Sequence, residues 1–204
     1  MEYVLIGAIL LLIAAFVVHI SKKPTWGKED SIGDFDDIIL SSEEMEKHAA
    51  EIAQNHNIMK RTKLSYLLIP WMNKNYNYIK NVYRNLNSIL KEEDVYISQE
   101  EEWLLDNFYI IEEQVKEIRK SLSKSYYSGL PGLKNGLFKG YPRIYAIAFE
   151  LVLHTDGKID EKAIINFIKA YQTKALLSSS ELWALSLMIR IALVEKIKRF
   201  ARKL

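Results

Sequence analysis

Three Ser-x-x-Glu pairs constrain this chain more than anything else in it: Ser41 with Glu44, Ser98 with Glu101, and Ser178 with Glu181. In such a pair the serine hydroxyl accepts the orphan N–H of the third helical residue. The glutamate reaches back to the serine N–H, so each pair marks where a helix opens. Apolar residues at helical spacing follow each one. After Ser98 they are Leu104, Phe108, Ile111, Val115, Ile118 and Leu122, an alternation of four- and three-residue steps that defines one core-facing stripe.

Other start signals complete the pattern. Pro70 suits a first helical turn, and Ile79, Val82, Tyr83, Leu86, Ile89 and Leu90 then form an apolar face toward Lys91. Pro142 opens a helix that Gly157 is placed to end through a left-handed cap, and Asp160 caps a helix to about Gln172. The segment from Ser41 runs to about Asn57, and the one from Ser178 continues toward the terminus. Tyr126 to Tyr141 is punctuated by Gly and Pro yet too apolar for a solvated linker, so it is expected to pack on the helices. With no strand-length alternation and no repeat of fixed period, residues 41–204 are expected to be an all-α bundle of about six helices.

A different element precedes them. Tyr3 to Ile20 holds eighteen residues without a charge, twelve of them Leu, Ile, Val or Phe. As a helix it would reach about 27 Å, near the thickness of a bilayer's hydrocarbon core, and inserting it would gain roughly 4 to 7 kcal/mol. A signal peptide needs a cationic start and a small-residue cleavage site, but this flank has Glu2 before it and His19-Ile20-Ser21 after it. Lys22, Lys23 and Lys28 follow the run. The positive-inside rule therefore predicts a single-pass anchor in the inner membrane, N-terminus out, with the bulk of the chain cytoplasmic. Residues 21–40, with Pro24, Gly27, Gly33 and four Asp, read as a juxtamembrane linker.

Composition removes several function classes. There are no cysteines, so disulfides and thiolate-bound metals are excluded. A net charge of +2 does not provide the concentrated basic face that nucleic acid requires. The basic run Lys196, Lys198, Arg199, Arg202 and Lys203 suits a helix C-terminus. No phosphate-cradling glycine motif or nucleophile elbow occurs.

The remaining candidates for chemistry fall on spacing. Asp34-Phe35-Asp36 has the D-x-D form of metal–nucleotide sites but lies in a polar linker rather than at a strand end. Setting Gly157 at the sixth position of a calcium loop puts Val152, His154 and Ala163 at ligand positions one, three and twelve, which favours a plain helix–turn–helix corner. His19, His48, His56 and His154 are scattered without metal-ligand spacing. Glu150, Arg190 and Glu195 interrupt apolar helices, and Arg190 with either glutamate is the expected structural ion pair. No catalytic, cofactor-binding or metal-ligating residue is assigned.

From about Glu101 onward the chain resembles the N-terminal region of bacterial cyclic β-1,2-glucan synthases. The matching blocks include Glu102-Trp103-Leu104-Leu105-Asp106-Asn107-Phe108-Tyr109, Gly140-Tyr141-Pro142-Arg143-Ile144-Tyr145 and His154-Thr155-Asp156-Gly157-Lys158-Ile159-Asp160. Ala170-Tyr171-Gln172, Glu181-Leu182-Trp183-Ala184 and Arg190-Ile191-Ala192-Leu193-Val194-Glu195 continue them in order. The resemblance is strongest over 101–200 and only loose before it. It implies a large membrane glycosyltransferase that builds β-1,2-glucan from UDP-glucose through a protein-linked intermediate and then cyclises it. The catalytic domains of that family lie downstream of the matched region, so the implied role here is structural and accessory, with the downstream catalytic part as partner and a truncated or split reading frame as the expected origin. The alternative is a free-standing membrane-bound scaffold presenting Tyr66, Trp71, Tyr76, Tyr78 and Tyr83.

Overall fold

The computed structural model describes residues 38–59, 68–91, 96–122, 129–155 and 159–204. In chain order its elements are α1 (Ser42–Asn55), β1 (Ile58–Met59), α2 (Leu68–Ile89), α3 (Gln99–Ser121), β2 (Gly132–Leu133), α4 (Arg143–His154), α5 (Glu161–Gln172) and α6 (Ser179–Ala201). Six helices thus stand among the described residues, each close to its expected place. The predicted span 3–20 and the D-x-D residues 34–36 lie outside them. No helix among the described residues is long and apolar enough to cross a membrane.

The caps explain the agreement. Ser41, Ser98 and Ser178 each accept from the N–H of the glutamate three residues on, and that glutamate accepts from the serine N–H in turn. Asp160 accepts from the Ala163 N–H at 2.7 Å. The predicted stripe of α3 is buried throughout, from Leu104 to Leu122. Boundaries moved slightly: α2 opens at Leu68, two residues before Pro70, which still lies in the first turn, where a missing N–H costs no hydrogen bond. Gly157, expected to end α4, lies outside the described residues, and α4 ends at His154, where the Thr155 hydroxyl donates to the Leu151 carbonyl.

Helix α4 sits at the centre. Ten of its twelve residues are buried, the signature of a helix enclosed on all sides rather than one with a single apolar stripe. Helix α6 packs along it and also against α2 and α3, while α1 pairs with α5. The expected apolar face of α2 is correct at Ile79 and Leu86 but fails at its end, where Ile89 and Leu90 are exposed. Met72, Asn75 and Tyr76 complete the buried face instead: Asn75 meets Glu195 of α6, and Tyr76 stacks on Phe108 of α3.

One feature departs from an all-α reading. The segment 129–141 does pack on the helices, burying Leu130, Leu133 and Phe138, and it pairs antiparallel with β1, Ile58 opposite Leu133 and Met59 opposite Gly132. Two residues per strand are too few to show alternation in sequence. The turn that returns this segment to α4 holds Gly136 at φ 74° and Gly140 at φ 86°, conformations open to glycine at little cost.

Candidate functional site

Polar side chains inside a helical bundle must find partners, because an unpaired buried charge costs several kcal/mol. Three polar groupings meet that requirement here, and their chemistry differs.

Arg143, at the first turn of α4, and Glu181, at the first turn of α6, form a bidentate pair with contacts of 2.8 and 2.7 Å and side chains only 4% and 0% exposed. Arg143 also donates to the Leu176 carbonyl at 2.9 Å, and its guanidinium lies 5.9 Å from the centre of the Tyr171 ring. Burial works against the Arg143 charge, yet the Glu181 carboxylate outweighs it and holds the arginine pKa above its ordinary value. Tyr171 in turn meets His56 Nδ1 through its hydroxyl at 2.9 Å. This grouping fixes four helix ends; its geometry is that of a buried clamp.

His56 carries a consequence for pH. Burial pushes its pKa down to about 4, with Glu150 opposing and Arg143 adding to the depression. A base with a lowered folded pKa binds its proton more readily when unfolded. Its stabilising contribution is therefore complete above about pH 6.5 and is lost as pH falls toward about 4. An NMR titration of the ring protons should give a midpoint near 4 for His56. A midpoint at or above 6 would contradict the half-buried, neutral imidazole.

A second grouping is formed by Glu195 of α6, which accepts from the Asn75 amide of α2 and lies 3.4 Å from Arg199. Arg190 was expected to pair with Glu150 or Glu195; both glutamates have other partners. Arg190 instead contributes to the electrostatic environment of Glu117 on α3, and its Nε is buried without a hydrogen bond. The basic run at the end of α6 is largely drawn inward. Lys196 donates to the Val152 and Thr155 carbonyls, and Lys198 is buried within 6.0 Å of the Trp71 and Tyr78 ring centres.

The third grouping could hold a ligand. His48 on α1 meets Glu150 and His154 on α4, with His48 Nε2 2.9 Å and His154 Nε2 3.3 Å from the same oxygen, Glu150 Oε2. The ring centroids are 4.8 Å apart, edge to face, and one donor atom from each residue lies within 4.8 Å of the others. His154 Nδ1 lies 2.7 Å from the Ile38 carbonyl, and the Leu40 N–H donates to the His154 carbonyl, so the segment entering α1 is held against the end of α4. Burial raises the Glu150 pKa, but hydrogen bonds and charge from His154 and His48 outweigh it and bring the value down to about 2.

The sequence assigned no metal ligand, and the spacing of His48 from Glu150 could not have suggested one. The signal within reach was Glu150 with His154, an i,i+4 pair on one helix face. The calcium-loop residues Val152 and Ala163 are not brought to this site as ligands: Val152 is buried in the core, and the Ala163 N–H serves the Asp160 cap. Of the aromatics proposed for a scaffold surface, Tyr76 and Tyr83 stack on Phe108, Trp71 is partly buried against the core, and Tyr78 is exposed. Tyr66 lies outside the described residues.

No protein-family model matches the chain. About half of it is nevertheless related in sequence to a region of a cyclic β-glucan synthase. The relative is the cyclic beta-(1,2)-glucan synthase NdvB of Rhizobium meliloti (strain 1021), 35% identical over 101 residues. That stretch is 49% of this chain and 4% of the relative, so the chain spans a small fraction of the length of the protein it matches.

Proposed function

We propose that this chain is an accessory helical region of a cyclic β-1,2-glucan synthase-like system, supporting synthesis from UDP-glucose and carrying none of the transfer chemistry alone. The 35% identity over 101 residues carries this reading. The disposition of charge is consistent with it. The buried carboxylates Glu181 and Glu195 are engaged by Arg143, Asn75 and Arg199, an arrangement that fixes helices rather than receiving a diphosphate.

In this reading Tyr3–Ile20 is the single-pass anchor, N-terminus out, and the helices lie on the cytoplasmic side, where UDP-glucose is found. The partner is the catalytic part of a glucan synthase. A face suited to it is formed by Leu176, Leu182 and Trp183 beside the start of α6; Leu176 is 80% and Trp183 84% exposed, an unusual display of large apolar side chains.

Membranes containing this chain as their only glucan-synthase-related protein should incorporate no glucose from radiolabelled UDP-glucose above the level of membranes without it. Sustained incorporation, lost when the chain is removed, would overturn the accessory role.

A further inference from the structure

We propose that His48, Glu150 and His154 form a binding site for a divalent transition-metal ion of the zinc class, which ties α1 and the segment entering it to the end of α4.

The Ile38 carbonyl can only accept, so His154 Nδ1, 2.7 Å away, carries a hydrogen. Without an ion a proton on Nε2 bridges to Glu150 Oε2, 3.3 Å away; a divalent ion displaces that proton and takes the nitrogen lone pair. The same oxygen already receives His48 Nε2 at 2.9 Å. A cation between the two Nε2 atoms and the carboxylate satisfies all three groups at once with both imidazoles neutral.

The surroundings favour that ion. A backbone carbonyl holding the far nitrogen of a ligating histidine is the usual support that fixes its tautomer and ring orientation. Two imidazoles and one carboxylate suit zinc, copper or nickel rather than magnesium or calcium, which prefer oxygen alone. Around a tetrahedral zinc ion with bonds of roughly 2.0–2.1 Å, donor atoms stand about 3.3 Å apart. Two edges here are already 2.9 and 3.3 Å. The donor atoms of all three residues lie within 4.8 Å of one another, and a rotation of His48, whose side chain is 25% exposed against 15% for Glu150 and 13% for His154, would bring its nitrogen to that spacing. The site also lies at the C-terminal turn of α4, where the helix dipole presents its negative end.

The test uses the full chain without a polyhistidine tag, titrated with Zn2+ in competition with a chromophoric chelator. One ion per chain is expected, with affinity falling at least ~10–100-fold in His48→Ala, Glu150→Gln and His154→Ala, and unchanged in His56→Ala. Thermal unfolding should shift upward with Zn2+ in the wild type and not in the three variants. Co2+ provides a readout that needs no variant: the wild type should show the intense visible bands of a tetrahedral nitrogen–oxygen site. Absence of stoichiometric uptake, uptake equal in His48→Ala and His154→Ala, or a featureless Co2+ spectrum would each overturn the site. None of these results bears on the glucan-synthase relationship, which rests on sequence similarity.

Discussion

Replacing Glu181 by alanine should destabilise the fold by about 3–5 kcal/mol, because it leaves the Arg143 guanidinium buried without its carboxylate. That is a large part of the 5–15 kcal/mol typical of a folded domain. The loss has two components. Glu181 neutralises Arg143 through two contacts, and its Oε2 also receives the Ser178 N–H at 2.9 Å, closing the cap of α6. Arg143→Met should cost less than Glu181→Ala, since it leaves the capping box in place. The double change Arg143→Met/Glu181→Ala should cost clearly less than the sum of the singles, because two apolar side chains leave no buried charge. Chemical denaturation of the four proteins, followed by far-UV circular dichroism, gives the cycle directly. A Glu181→Ala cost under about 1 kcal/mol, or a double variant as unstable as the sum of the singles, would mean the pair is not the clamp its geometry describes.

The same residues explain how much of this protein can be read without its structure. The Ser178–Glu181 cap is legible because both partners sit within four residues. The caps at Ser41 and Ser98 and the α3 stripe are legible for the same local reason. Arg143 is not legible as the partner of Glu181, because 38 residues and a helix separate them. Arg190 is expected to pair with Glu150 or Glu195 because all three interrupt apolar helices, a pattern that does not say which of them face each other. Facing geometry gave Glu195 to Asn75 and Arg199, and Glu150 to two histidines, one of them 102 residues away. The failure at Ile89 and Leu90 has a similar cause, since periodicity names a face without saying how far along the helix a neighbour covers it. The two-residue β pairing carries too little pattern to be seen. Family relationship came from ordered blocks over half the chain, a signal that periodicity does not contain.

The second large effect concerns activity. If these helices are the accessory region of a glucan synthase, they should substitute for the related region of one. In the Rhizobium meliloti synthase, deleting the 101-residue matching stretch is expected to abolish β-1,2-glucan formation, with loss of the helical platform rather than of reacting groups. Inserting residues 38–204 of this chain in its place should restore it to within about tenfold of the parent, a barrier difference of about 1.4 kcal/mol. The same insert bearing Glu181→Ala should fail, since the platform no longer holds its shape. Trp183→Ala should leave the stability of the isolated chain within about 0.5 kcal/mol, as its side chain is largely exposed, while weakening the restored synthesis.

Glucan formed from UDP-glucose by membranes carrying that chimaera tests the central claim most directly. Restored product in the wild-type insert and none in the deletion is the predicted result. A chimaera expressed and membrane-inserted at the parent's level, yet as silent as the deletion, would contradict it.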